Sequence, residues 1–380
     1  MKRMANLELL RCVAMMMVVA LHYLGKGNLL ADLAGEALGG AEAAAWLLES
    51  FCIVAVNVYM FISGYFLCTS PFKPGRLIQL WLQVWVYSVV FGMAGALTGV
   101  MQEAAFDTHF LLTLLFPVSM GHYWFMTAYV FLSLLLPFVG AAAGRMTRQQ
   151  FRIAVGLLLL VFCLMKSVFP VRFEMDSMGY DCMWYLCVFL SAAYVRRFGS
   201  VLLEKKGMGL CLYGGCCLLI FGGTMALRVI YLKTGSLGQM LNMFLEYNHI
   251  LPFLAAAGLF AFFYRMKING RAALLINRIA PYTLGVYLLH ENLGLRYSWQ
   301  KWLKADAAAA AVGKGGIGAV GVLLLCTAGA VLCVFICGVL TDMVRKGLFG
   351  LAHRGLLRLR PYRALCGRIE KADGIFRGDG

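Results

Sequence analysis

An all-helical protein crossing a membrane about ten times is the fold that this sequence predicts. Of its 380 residues, 62% are hydrophobic and only 14% are charged, whereas soluble globular chains are near half apolar and a quarter charged. The apolar residues gather in runs of about 20, the length that crosses a bilayer as a helix. Lysine and arginine collect in alternate connections between those runs, as they do on the cytoplasmic side of multi-pass proteins.

The runs lie at 9–28, 45–68, 77–99, 122–143, 151–170, 181–198, 208–232, 249–266, 279–296 and 317–342. Met1, Lys2 and Arg3 resemble the start of a signal peptide. The run behind them is long, carries Arg11 and has no clean small-x-small cleavage site, so it reads as a retained first span. The stretch 110–118 is too short to span and is expected at the interface, and the alanine-rich stretch 306–311 is expected to be helical without crossing. No hydrophilic stretch suffices for a soluble domain. One membrane domain, 1–345, is followed by a basic cytoplasmic tail, 346–380.

One set of connections holds Lys2 and Arg3, Lys73 and Arg76, Arg145, Arg148 and Arg152, Arg196, Arg197, Lys205 and Lys206, Arg265, Lys267, Arg271 and Arg278, and the tail from Arg345 to Arg377. That is roughly 24 of the 34 basic residues. With ten spans both termini face the cytoplasm. The net charge of +16 is then a topology signal and a contact for anionic lipid, and it calls for no nucleic acid. The other side holds Asp32, Glu36, Glu42, Glu103, Asp107, Glu174, Asp176, Glu246, Glu291 and Asp306. His22, His109, His122, His249 and His290 also fall in that outer half, which hints at proton chemistry facing outward. Lys166 and Arg228 lie near outer helix ends, where snorkelling accounts for them. The 13 cysteines are scattered, without zinc spacing or a CxxC pair, so neither a metal site nor a disulfide framework is expected.

The first span, ELLRCVAMMMVVALHYLG from Glu8 to Gly25, keeps two ionisable residues. Eleven helical steps from Arg11 to His22 advance about 16 Å and turn through almost three full turns plus ~20°, so both lie on one face. A structural account lets Arg11 snorkel and pair with Glu8 at i,i+3. It explains His22, past mid-membrane, less well. A functional account needs a long thin ligand, anionic at one end and reactive at the other, and an acyl-coenzyme A fits. The arginine fork suits phosphate, and a histidine could take the proton of an attacking hydroxyl.

At these residues the chain resembles the integral-membrane acyltransferase 3 family. ELLRCVAMMMVVALHY is similar to the family's first-helix motif of an arginine and a histidine ten residues apart. NVYMFISGYFLC (Asn57–Cys68) resembles its second-helix signature, and PFKPGRLIQLW (Pro71–Trp81) its basic cytoplasmic turn. HYWFMTAYVFLSLLLPF (His122–Phe138) and YTLGVYLLHEN (Tyr282–Asn292) resemble later helices. Many relatives carry several arginines in the basic turn, where this chain offers Lys73 and Arg76.

The resemblance implies a bacterial O-acyltransferase of the cell membrane that moves an acyl group, mostly acetyl, from cytoplasmic acetyl-CoA to a hydroxyl of a glycan or lipid-linked glycan. The product is a modified cell-surface or exopolysaccharide glycan. Some relatives carry a fused extracytoplasmic domain. This chain's transfer is expected to finish in the membrane or to pass to a separate extracytoplasmic transferase or glycan-assembly partner. Arg11, helped by Lys73 and Arg76, would hold the CoA phosphates. His22 would be general base or would carry the acyl group. Asn57 and Ser63 either line an acyl channel or join helices. His122, Trp124, His290, Glu291 and Asn292 are candidates for the acceptor side, Trp124 also fitting an aromatic belt. A rival reading is a transporter or flippase. It would be favoured by inverted repeats or paired broken helices, and no repeat is evident.

Overall fold

The structure, a computed structural model, describes residues 3–35, 38–101, 107–169 and 176–376. Lys2, Glu36, Glu103, Glu174 and Arg377 lie outside the described residues. Among the described residues eighteen α-helices follow in chain order: α1 Ala5–Lys26, α2 Gly40–Cys52, α3 Ala55–Leu67, α4 Pro74–Leu97, α5 Thr108–Leu115, α6 Trp124–Arg145, α7 Arg148–Leu159, α8 Met165–Val168, α9 Cys182–Phe198, α10 Val201–Glu204, α11 Met208–Thr234, α12 Ile250–Arg265, α13 Gly270–Ile279, α14 Thr283–His290, α15 Trp299–Trp302, α16 Ala305–Lys314, α17 Ile317–Leu356 and α18 Arg360–Ile375. The described residues contain no strand.

Among the described residues nine helical segments are long and apolar enough to cross a membrane, some made of two helices end to end. The expected tenth, α9, has 17 residues, the lower limit for a span. Asp181 caps its start by accepting a hydrogen bond from the Trp184 N–H, and Gly199, with φ 76°, ends it. The stretch 110–118 forms the short α5 and the alanine-rich stretch forms α16. The segment past 345 is helical, since α17 runs unbroken to Leu356 and α18 follows.

The chain divides into two compact units. The first comprises 1–66, 146–281 and 297–335, and the second 67–145, 282–296 and 336–380.

In the first unit, glycines let backbones touch, as in membrane helix pairs. A Cβ on Gly258 of α12 would lie 2.7 Å from the Gly209 oxygen of α11. A Cβ on Gly64 of α3 would lie 2.6 Å from the Phe189 oxygen of α9. Cys12, Cys52, Cys163, Cys187 and Cys217 are buried as small apolar residues.

Lys166 corrects the snorkelling expectation. Between α7 and α8 the helix widens into a π turn, Leu160–Leu164, and Lys166 follows with its side chain 4% exposed. Its ammonium donates to Asn248 Oδ1 at 2.6 Å and forms ion pairs with the Asp176 and Glu246 carboxylates at 2.7 Å each. One neutral oxygen and two carboxylates thus surround the buried charge. Arg228 is buried as well, donating from Nη2 to the Gly35 carbonyl at 2.8 Å.

In the second unit, α4 and α17 are joined through Asp342, which is 1% exposed. Its carboxylate accepts from Arg345 at 2.6 Å, Gln83 at 3.0 Å and the Tyr87 hydroxyl at 3.1 Å. α18 packs on the start of α4. Asp373 accepts from the Gly75 N–H at 2.8 Å, and Phe72 meets Phe376 edge to face at 5.1 Å.

Candidate active site

In the first unit the candidate residues lie on α1 and α3. α1 is one uninterrupted helix from Ala5 to Lys26, so Arg11 and His22 stand about 16 Å apart along one face. Arg11 Nη1 donates to Glu8 Oε2 at 2.7 Å, and the arginine side chain remains 28% exposed while Glu8 is buried. The Arg11 carbonyl accepts from the Tyr59 hydroxyl at 2.9 Å, which ties α1 to α3. His22 is partly buried, and its carbonyl faces Gln300 Nε2 at 3.5 Å.

Asn57 is fully buried and engaged at both ends. Its Nδ2 donates to the Tyr247 carbonyl, and its Oδ1 accepts from the Trp184 indole, each at 2.8 Å. These bonds join α3 to α9 and to the chain before α12. Ser63 is partly buried on the same helix, beside the close contact at Gly64. His249 caps α12, its Nδ1 accepting from the Leu251 N–H.

The second unit gathers His122, His290, Glu291 and Asn292 around a break in helical structure. The expected span at 279–296 holds one helix, α14, after a 3-10 turn at Ala280–Tyr282 that follows α13, and the segment long and apolar enough to cross starts earlier, at Gly270, and ends at His290. α14 ends at His290, and the chain turns through Glu291–Arg296. Non-helical backbone in a membrane protein needs partners from the protein itself, and side chains supply them here. The Leu293 N–H donates to His122 Nε2 at 3.0 Å. The Gly294 N–H donates to Asn292 Oδ1 at 2.9 Å. Asn292 Nδ2 donates to the Tyr87 carbonyl and to the Tyr123 hydroxyl. Tyr123 in turn donates to the Leu288 carbonyl at 2.9 Å. Arg296 reaches the Glu291 carbonyl with Nε and Nη2 and the His122 carbonyl with Nη2 at 2.7 Å. Both glycines of this contact are needed, since a Cβ on Gly294 would lie 2.6 Å from the Phe91 oxygen of α4 and one on Gly95 would lie 2.5 Å from the Gly294 Cα.

These bonds fix the histidines. His122 Nε2 accepts a backbone N–H, so the ring hydrogen sits on Nδ1 and points to Ser88 Oγ at 3.1 Å. With both ring nitrogens engaged in this way, His122 brackets the turn. His290 is 2% exposed. Its Nδ1 lies 2.6 Å from the Val286 carbonyl. A carbonyl only accepts, so Nδ1 carries the hydrogen and Nε2 is the basic nitrogen of the neutral ring. A His290 ring nitrogen and a Glu291 carboxylate oxygen lie within 4.8 Å of one another, and Arg296 stands 3.9 Å from that carboxylate.

Trp124 begins α6 beside this turn, partly buried and edge-on to Phe125 at 6.0 Å. Lys73 and Arg76 are not with this group. They begin α4, and Ser88, which contacts His122, lies twelve residues beyond Arg76, about 18 Å along the helix. Sequence reasoning weighed Tyr123 only for an aromatic belt and missed Tyr87, Ser88 and Arg296. Arg296 alone had a visible signal, a charge four residues past a resembling motif, at the end of the expected run 279–296.

An all-helical chain with this many apolar crossings is a multi-pass membrane protein. The model of the family described as "Acyltransferase domain", acyltransferase 3, matches residues 4–341, and the chain belongs to that family. It is a membrane acyltransferase. No curated protein and no solved structure matches the chain.

Proposed function

We propose that this acyltransferase moves an acetyl group from acetyl-CoA on the cytoplasmic side to a hydroxyl of a cell-envelope or exopolysaccharide glycan, in the cell membrane. The observation that carries the reading is α1, an unbroken helix presenting an arginine and a histidine on one face. Their spacing of about 16 Å is of the order of a pantetheine arm. Arg11 grips donor phosphate, with Lys73 and Arg76 offering further positive charge. His22 takes the proton of the acceptor hydroxyl or carries the acetyl group in passing. His290 and Glu291 belong to the acceptor's side of the chemistry. The acceptor is a glycan or lipid-linked glycan, presented directly or by a glycan-assembly partner.

Arg11→Lys tests the donor assignment. Lysine can keep the i,i+3 pair with Glu8 but lacks the planar fork. Losing one charge-assisted contact costs about 1.5–3 kcal/mol, so acetyl-CoA binding is expected to weaken by roughly ten- to a hundredfold. Calorimetric titration of the purified variant measures it, and an unchanged dissociation constant would leave Arg11 with Glu8 as its only role.

The orientation places both termini and the turn at Lys73–Arg76 in the cytoplasm, with α9 counted as the tenth crossing. Gly75 is buried, so the labelling position belongs at exposed Thr69. In a background cleared of other reactive cysteines, Thr69→Cys is expected to resist an impermeant thiol reagent in intact cells, while Ser236→Cys reacts. The reverse pattern would turn the protein over and move the donor to the other side.

A further inference from the structure

We infer that Arg196 holds the 3′-phosphate of the acyl-CoA donor at the cytoplasmic end of the first unit, while Arg11 stands deeper, against the diphosphate. The inference rests on the acyl-transfer reading above and deepens it, dividing the donor's phosphates between two arginines of one unit.

Arg196 lies in the last turn of α9 and is half-buried. Its Nη1 donates to the Tyr65 hydroxyl of α3 at 2.9 Å, and the guanidinium carbon stands 4.7 Å from the centre of the same ring. Tyr65 is buried. Phe260 and Tyr264 of α12 hold its ring at 5.3 Å and 5.7 Å. An arginine has five N–H donors and keeps its charge. Here one donor meets a neutral hydroxyl, and among the described residues no carboxylate pairs with the cation. Other arginines of this unit are engaged differently. Arg11 is paired with Glu8, Arg228 donates to the Gly35 carbonyl, and Arg265 donates to the carbonyls of Leu203 and Glu204. A guanidinium fixed on an aromatic face with donors to spare suits the paired oxygens of a phosphate.

Depth decides which phosphate. The Tyr59 hydroxyl bonds the Arg11 carbonyl, and Tyr65 lies six residues further along α3, about 9 Å. On α1 the Tyr65 layer is marked by Asn6, whose Nδ2 donates to the Tyr264 carbonyl at 2.7 Å. Asn6 stands five residues before Arg11, about 8 Å. Counted along either helix, Arg196 is nearer the cytoplasmic end than Arg11. In CoA the pantetheine arm joins the diphosphate, and the 3′-phosphate hangs from the ribose beyond it. With the thioester toward His22, the diphosphate meets Arg11 and the 3′-phosphate lies further out.

Charge points the same way. The 3′-phosphate is a monoester, and such a group carries about −1.5 to −2 near pH 7. The Arg11 charge is met in part by buried Glu8 at 2.7 Å, whereas the tyrosine beside Arg196 brings no opposing charge.

The test compares acetyl-CoA with acetyl-dephospho-CoA, the same donor without its 3′-phosphate, by calorimetric titration of the purified full-length protein. Wild type is expected to bind acetyl-CoA more tightly by roughly ten- to a hundredfold, the worth of one charge-assisted contact. In Arg196→Gln the preference is expected to vanish, with acetyl-dephospho-CoA binding as in wild type. Arg11→Lys is expected to weaken both donors and keep the preference. A merely structural Arg196 would weaken both donors alike on substitution. That result, or a preference untouched in Arg196→Gln, overturns the inference. So does a preference lost in Arg11→Lys, which would assign the 3′-phosphate to Arg11, or a wild type that binds the two donors equally. If Arg196→Gln does not fold, Arg196→Lys decides. Lysine lacks the fork, so part of the preference should go, and an undiminished preference overturns the inference. Wild-type protein that binds neither donor would instead sink the acyl-CoA reading itself.

Discussion

Replacing His22 with glutamine is expected to lower turnover by about 10²–10⁴-fold, the usual cost of losing general acid–base catalysis. Glutamine is close in size, favours helix and can still form hydrogen bonds, so α1 should insert and pack as before. The contact that His22 makes with Gln300 uses its backbone carbonyl and survives the change. What glutamine cannot do is accept a proton or an acyl group. Acetyl-CoA affinity should hold, because Arg11 lies about 16 Å away along the helix. Turnover and donor binding measured on one preparation separate the two effects. Near-normal turnover would reduce His22 to a packing residue.

Replacing Lys166 with methionine is expected to destabilise the first unit by about 3–5 kcal/mol, the range for breaking a buried ion pair by removing one partner. Methionine fills nearly the same volume, so packing is a minor part of the change. The loss is electrostatic. Asp176 and Glu246, each held at 2.7 Å by the one ammonium, would remain side by side in the protein interior without it. Asn248 would also lose its 2.6 Å donor. Thermal unfolding in detergent reads the effect. A second substitution, Glu246→Gln, should recover part of the loss in the Lys166→Met background by removing one of the repelling charges. An unchanged midpoint in Lys166→Met would show that the cluster contributes nothing to stability.

Much of the architecture was legible because the bilayer imposes it. A span must be about 20 apolar residues long and helical, so composition alone located nearly every crossing. α9 sits at the edge of that rule, with capping residues setting its 17-residue length. The helix before Ala280–Tyr282 was hidden because Arg271 and Arg278 made 265–278 read as a basic connection, while Pro281 is the local mark of the break itself.

The site was legible only where it lies on one helix. Arg11 and His22 are related by helical geometry, and so is Glu8, whose pairing with Arg11 was readable at i,i+3. The setting of His122 depends on Ser88, Leu293 and Arg296, which come from distant parts of the chain. Spacing along the sequence carries no trace of such a meeting. Lys166 was misread for the same reason. Its acceptors come from residues 176, 246 and 248, so a lysine near a helix end looked exposed. Asn57 was readable as polar within a span, but its partners Trp184 and Tyr247 were not.

The central claim is that the chain transfers an acyl group from acyl-CoA, and thiol release tests it most directly. Purified protein in detergent, with no membrane gradient, is given acetyl-CoA and a glycan hydroxyl acceptor, and free CoA is measured over time. The account predicts CoA release that depends on the acceptor, matched by acetyl ester appearing on the glycan. Donor that stays intact, with wild-type protein folded and binding acetyl-CoA, would contradict it.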